Sequence, residues 1–396
     1  MFFGIYMAGS GPGSILGWSF MRWRTDLWWQ SVRSVLVVAS ACSIVGTLGY
    51  VVICFQLARN AEAKSDLESA AWHLLSLRAL TGFGDGMASQ FIFSSFPRFT
   101  NKADIPAASL QMYFVNMLAF GFAPMLAEAA CRITGRHLEH NGFVVVAAIQ
   151  AGLVLGQWAV CLVWCPSFNS LPEVNKVDDR AARTLDMPQQ RYLLFACLFL
   201  VIVRNYTASG IEVAASLLLE VEYSWRHPWL GLVVGAIYLT VIPIKLLHDK
   251  FKDAFVVSSW VRLFGYAMLP GCMLLFTRRS THLLCGDMLI LPGMYLAHAL
   301  VAGIRSQYAI EESFLFNIDT MTLLGNCILA SIGRFLGAWL SRFFIQLGHQ
   351  RLYAIAQTAA TAMYLFVFEV GVNYVMCSSA VGVDAVRRDQ LSERRV

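Results

Sequence analysis

Charge is scarce in this sequence. Asp, Glu, Lys and Arg make up 14% of 396 residues, against 57% apolar residues. A water-soluble domain of this length needs more charge, because large exposed apolar patches associate. Paired cysteines are missing too. The ten cysteines fall one at a time, without a CxxC or a His cluster. The nearest pair, Cys161 and Cys165, stands one helical turn apart in an apolar run, where free Cys behaves as a small hydrophobe. No Gly-rich phosphate loop, nucleophile–base set or metal-ligand spacing occurs, so nothing points to an enzyme, a metal or a cofactor. The N-terminus lacks the basic region of a cleavable signal peptide. The net charge of +5 is spread over several connections, which argues against a nucleic-acid face.

What is present is hydrophobic length. Mean hydropathy is +0.58, and 11 Trp and 13 Tyr suit the two headgroup belts of a bilayer. A run of about 20 apolar residues crosses the hydrocarbon core as a helix. The expected spans are 2–20, 34–56, 75–97, 108–131, 143–165, 192–216, 229–248, 254–277, 283–304, 321–343 and 352–375. The fold class is therefore an all-α, multi-pass membrane protein. The longest polar connection, 166–191, divides a bundle at 1–165 from a second at 192–375, and 376–396 forms a tail.

Lys and Arg favour one set of connections, including that linker and the tail, by roughly two to one, which makes that set cytoplasmic. Met1 then starts on the opposite side. Five spans, a long cytoplasmic linker and six more read as six plus six with the first span lost from the sequence.

Ionisable groups inside a bilayer are costly, so they face a partner or a polar interior. Glu128, Arg262 and Glu369 lie near predicted span ends and can snorkel. Four sets are more telling. Arg78, Asp85 and Ser89, at i, i+7 and i+11, form one polar stripe interleaved with Gly82, Gly84 and Gly86. The stripe reads either as a cavity lining or as an interhelical ion-pair network. Asn205, Ser209, Glu212 and Ser216 form a second stripe beside Arg204. Asn205-Tyr-Thr matches a glycosylation sequon, but its place inside a span excludes an oligosaccharide. Asp287 and His298 share a side of the ninth span, with Pro292 between them, which leaves a protonation role open to His298. Gly333, Gly337 and Ser341 make a small-residue seam with Arg334 beside it. Three deep arginines tilt the reading towards an anionic solute.

Several of these residues resemble the major facilitator superfamily. Arg78-x-x-x-Gly82-x-Gly84 resembles the basic motif of its fourth helix. Gly121-Phe-Ala-Pro124 is similar to the Gly-Pro motif of the fifth, with Ala123 where Gly is usual. The loop from Gly17 to Arg33 takes the place of the superfamily signature, with Met21 where an Asp is expected. His248-Asp249-Lys250 resembles the matching loop of the second half. Ser209-Gly-Ile-Glu212, Tyr223-Ser-Trp225, Cys285-Gly-Asp287 and Gly333-Arg334-x-x-Gly337 resemble the SPX-associated and lysosomal branch, with Ala338 where that branch often has Asp.

The resemblance implies two helical bundles around a midplane site, and secondary transport of a small solute by alternating access. For that branch it implies a vacuolar or endolysosomal membrane and phosphate or another anion as cargo; the plasma membrane is the other location. On this reading Arg78, Arg204 and Arg334 serve the anion, and Asp85, Glu212 and Asp287 accept coupling protons. An anion channel and a transport-inactive truncated protein are the alternatives.

Overall fold

In the computed structural model, residues 2–23, 25–59, 66–133, 140–164, 185–225 and 227–377 are described. Cys165, most of the linker and the tail beyond Cys377 lie outside them. The described residues form helices α1 (Phe2–Trp23), α2 (Thr25–Arg59), α3 (Asp66–Phe99), α4 (Ile105–Ile133), α5 (His140–Trp164) and α6 (Met187–Val221). Then follow α7 (His227–Leu239), α8 (Val241–Phe251), α9 (Val257–Leu275), α10 (Ser280–Gln307), α11 (Ile318–Leu323) and α12 (Ala330–Val367), with π-helical stretches at Leu324–Leu329 and Phe368–Asn373.

Eight helical segments among the described residues are long and apolar enough to cross a membrane. The other three expected spans fall on α1, α3 and α9, which are also helical. Arg78 and Asp85 inside α3, and Arg262 inside α9, lower their hydropathy. Large apolar side chains such as Val163, Phe335 and Met273 are more than two-thirds exposed, as lipid-facing residues are.

The loop expected between the last two spans falls inside the helical run Ala330–Val367. Ser341 and Gln357 both approach Gly210. A straight helix would separate them by about 24 Å, so the chain turns back between them and the spans stand as two arms. Gln350 sits at this reversal. Its amide donates to the carbonyls of Leu275 (2.7 Å) and Thr277 (2.8 Å) and accepts from the Tyr223 hydroxyl (2.6 Å), tying the ends of α6 and α9 to the reversal within α12.

The chain falls into two compact units: Met1–Phe99, Met125–Glu173 and Asp319–Ile328 in the first, and Thr100–Pro124, Val174–Ile318 and Leu329–Val396 in the second. In the first, glycines let helices meet backbone to backbone. A Cβ on Gly9 or Gly13 would strike the carbonyls of Ala79 or Phe83, so α1 packs directly on α3. Gly84 meets Ala39 and Ser43 of α2, and Gly86 meets Ser10 of α1. Gly84 and Gly86, which interleave with the polar stripe of α3, thus meet neighbouring helices. Arg98 pairs with Asp319 at 2.9 Å, and the Gln90 amide donates to the Asp319 carbonyl.

In the second unit α6 and α10 are the most enclosed of the helices long and apolar enough to cross a membrane. The expected seam packs on α6: Gly333 against Ile202 and Asn205, Gly337 against Tyr206 and Ser209. Arg262 and Glu369 do not snorkel separately; they form a bidentate pair at 2.6 and 2.7 Å. The pair is partly exposed and therefore adds little to stability. Glu369→Gln is expected to shift the melting temperature by no more than about 2 °C, an effect that 1 M salt abolishes. A differential scanning measurement at two ionic strengths checks it.

Candidate functional site

The second unit holds a polar cluster around one amide. The side chain of Asn205 is fully buried on α6, and its Nδ2 donates to the Val201 carbonyl at 2.8 Å. That bond turns Oδ1 inward and fixes which end of the amide faces the cluster. Arg204 Nη2 donates to this oxygen at 2.8 Å, and Arg334 Nε reaches the same atom from α12 at 3.5 Å. Two guanidinium groups thus converge on one neutral acceptor. Ser209 reinforces the contact by donating to the Asn205 and Arg334 carbonyls.

Aromatic rings enclose the arginines. The Arg204 guanidinium carbon lies 4.6 Å from the Tyr295 ring centre and 5.3 Å from that of Tyr113; Arg334 lies 5.6 Å from Phe120. Such faces stabilise a cation without neutralising it. Glu212 is the cluster's carboxylate. It accepts a hydrogen bond from the Tyr238 hydroxyl, and its charge acts on Arg334. Arg204 is 8% exposed, has no carboxylate partner among the described residues, and leaves Nε without an acceptor. An enclosed guanidinium in that condition favours an anionic ligand.

Of the residues singled out in the sequence, Arg204, Asn205, Ser209, Glu212 and Arg334 meet here. His298 lies next to them, edge-on to Tyr113 at 5.8 Å. Asp287, eleven residues earlier on α10, stands apart. It is fully buried, its Oδ1 accepts from the Tyr353 hydroxyl at 2.9 Å, and its Oδ2 has no partner. Arg78, Asp85 and Ser89 belong to the first unit. Asp85 accepts from Ser43 at 2.8 Å, Arg78 is half-buried, and Ser89 is exposed. The buried Asn205 amide, engaged on both ends, leaves no room for a glycan.

Sequence reasoning missed Tyr113, Tyr238 and Tyr295, which look like ordinary members of apolar runs. It also ended the ninth span at 304, which leaves Arg305 outside the membrane-spanning helix. The residue lies within the last turn of α10 and is only 5% exposed, because that helix continues to Gln307.

No protein-family model matches this sequence, and no curated protein matches it. Solved structures do. The human organic anion transporter MFSD10 superposes with a TM-score of 0.54 at 14% identity, covering 92% of this chain and 97% of that one. The xylose transporter XylE from E. coli gives 0.60 at 13%, covering 93% and 87%. This chain has the major facilitator fold. FucP, a further major facilitator transporter, agrees at 0.56 and 11%, covering 92% and 89%. At these identities the likeness shows the fold alone.

Proposed function

We propose that the protein is a secondary transporter that carries a small anion across a membrane by alternating access. The fold is one that transporters use, yet its solved examples include both an organic anion transporter and a xylose transporter, so the cargo has to be argued from the site. The observation that carries the reading is Arg204: enclosed, lying over the rings of two tyrosines, hydrogen-bonded among the described residues only to a neutral oxygen, and joined through it to a second arginine. A sugar site needs a mixed set of donors and acceptors. Here donors predominate, and guanidinium groups match the geometry of carboxylate and phosphate oxygens.

Glu212 supplies the coupling. A carboxylate beside Arg334 competes with the anion for it, and protonation of Glu212 releases Arg334 to the cargo. A proton and an anion then travel together. Asp287 and Asp85 are further proton acceptors in this proposal. Short motifs similar to the SPX-associated and lysosomal branch favour phosphate among the anions and an internal membrane as the location, with the C-terminal tail cytoplasmic.

The experiment is uptake into proteoliposomes of radiolabelled phosphate, succinate and xylose, with and without an inward proton gradient. Phosphate or succinate is expected to enter and to enter faster with the gradient. Glu212→Gln is expected to keep uptake but lose the acceleration. Entry of xylose alone overturns the reading.

A further inference from the structure

The donor-rich interior of the second unit continues past Arg204 towards the end of α10. Arg305 lies there, 5% exposed, with both Nε and Nη1 lacking an acceptor. His298, 1% exposed, has an unpartnered Nδ1, and the fully buried Tyr364 has an unpartnered hydroxyl. These groups share one neighbourhood. The ring of Tyr113 touches Arg204 on its face and His298 at its edge. His298 and Arg305 stand seven residues apart on α10, on one face and two turns from each other, and Arg305 and Tyr364 both neighbour Arg204, Tyr113 and Cys197.

We propose that Arg305, His298 and Tyr364 form a second anion-binding position, where an oxyanion waits on its way to or from Arg204. The proposal rests on the anion-transport reading above.

Two ordinary explanations of Arg305 fall short. A cation is favoured at a helix C-terminus, and Arg305 occupies the last turn of α10. The carbonyls there nevertheless leave two of its donors empty. An arginine near a helix end can also extend to the interface, but this one is enclosed. No described carboxylate pairs with it. The acid on its own helix, Asp287, lies about 27 Å away along the axis. A phosphate or carboxylate offers acceptors to Nε and Nη1 of Arg305 together, and its charge offsets two enclosed guanidinium groups that otherwise repel each other.

The test is equilibrium binding of radiolabelled phosphate, sulfate and succinate to the purified full chain, together with uptake kinetics. The wild type is expected to bind two anions per chain, and Arg305→Gln one, with the affinity of the remaining site changed less than about threefold and the uptake KM raised about tenfold. Tyr364→Phe, a milder change, is expected to weaken the second site about fivefold and to leave the first unchanged. A wild type that binds one anion, with KM and stoichiometry unmoved by Arg305→Gln and Tyr364→Phe, overturns the second site and leaves the transport reading standing. If none of the three anions binds or enters, the transport reading falls and this inference falls with it.

Discussion

Arg204→Gln is expected to lower anion uptake by about 100-fold or more while leaving the protein as stable as before, or more so. Truncating one partner of a buried, hydrogen-bonded charge pair costs about 3 kcal/mol or more in binding, which is that factor. Stability moves the other way for a separate reason. In the unliganded chain the guanidinium is enclosed without a carboxylate and keeps Nε unpaired, so its burial is a cost to folding. Replacing it with a neutral amide removes that cost and retains a donor for Asn205 Oδ1. Arg204→Lys keeps the charge but loses the planar fork and the stacking on Tyr295, so an intermediate loss of about tenfold is expected. Uptake and thermal melting of the three proteins, measured together, check this. A purely structural arginine would lose stability and transport in parallel.

Gly337→Leu is expected to prevent folding, or to cost about 3 kcal/mol or more. A Cβ at this position runs into the Tyr206 carbonyl and the Ser209 hydroxyl, and backbone carbonyls cannot move aside as a flexible side chain can. The damage extends to the site, since Ser209 joins α6 to the Arg334 carbonyl. Gly152→Leu on α5 is the control: a Cβ there meets nothing within 4 Å. Monodisperse yield and melting temperature after purification separate the two. Similar behaviour of both variants would mean that α6 and α12 do not meet at this seam.

These two residues also show what can be read from the sequence. Gly337 is legible because the period of four in Gly333, Gly337 and Ser341 is itself the physical requirement for close helix approach. Gly9, Gly13 and Gly17 carry the same period and join α1 to α3, a seam the sequence reading did not single out. Arg204 is legible as an oddity, since a charge inside a long apolar run has to be explained. Its tyrosine partners are not, because hydropathy does not distinguish a tyrosine facing lipid from one stacked on a guanidinium. The Arg262–Glu369 pair joins positions 107 residues apart, and no local pattern predicts such a partner. Arg305 was misplaced for a simpler reason. Hydropathy ends the span at 304, whereas the helix runs on through the charged residue and buries it.

The most direct test of the account is counterflow. Proteoliposomes containing the full chain are loaded with unlabelled phosphate or succinate, diluted into a trace of the same labelled anion, and followed over time. An alternating-access carrier exchanges solute faster than it returns empty, so labelled anion is expected to accumulate transiently above equilibrium, and Arg204→Gln to abolish the overshoot. Label that merely equilibrates, at a rate indifferent to the internal load, would contradict the account and indicate a passive pore.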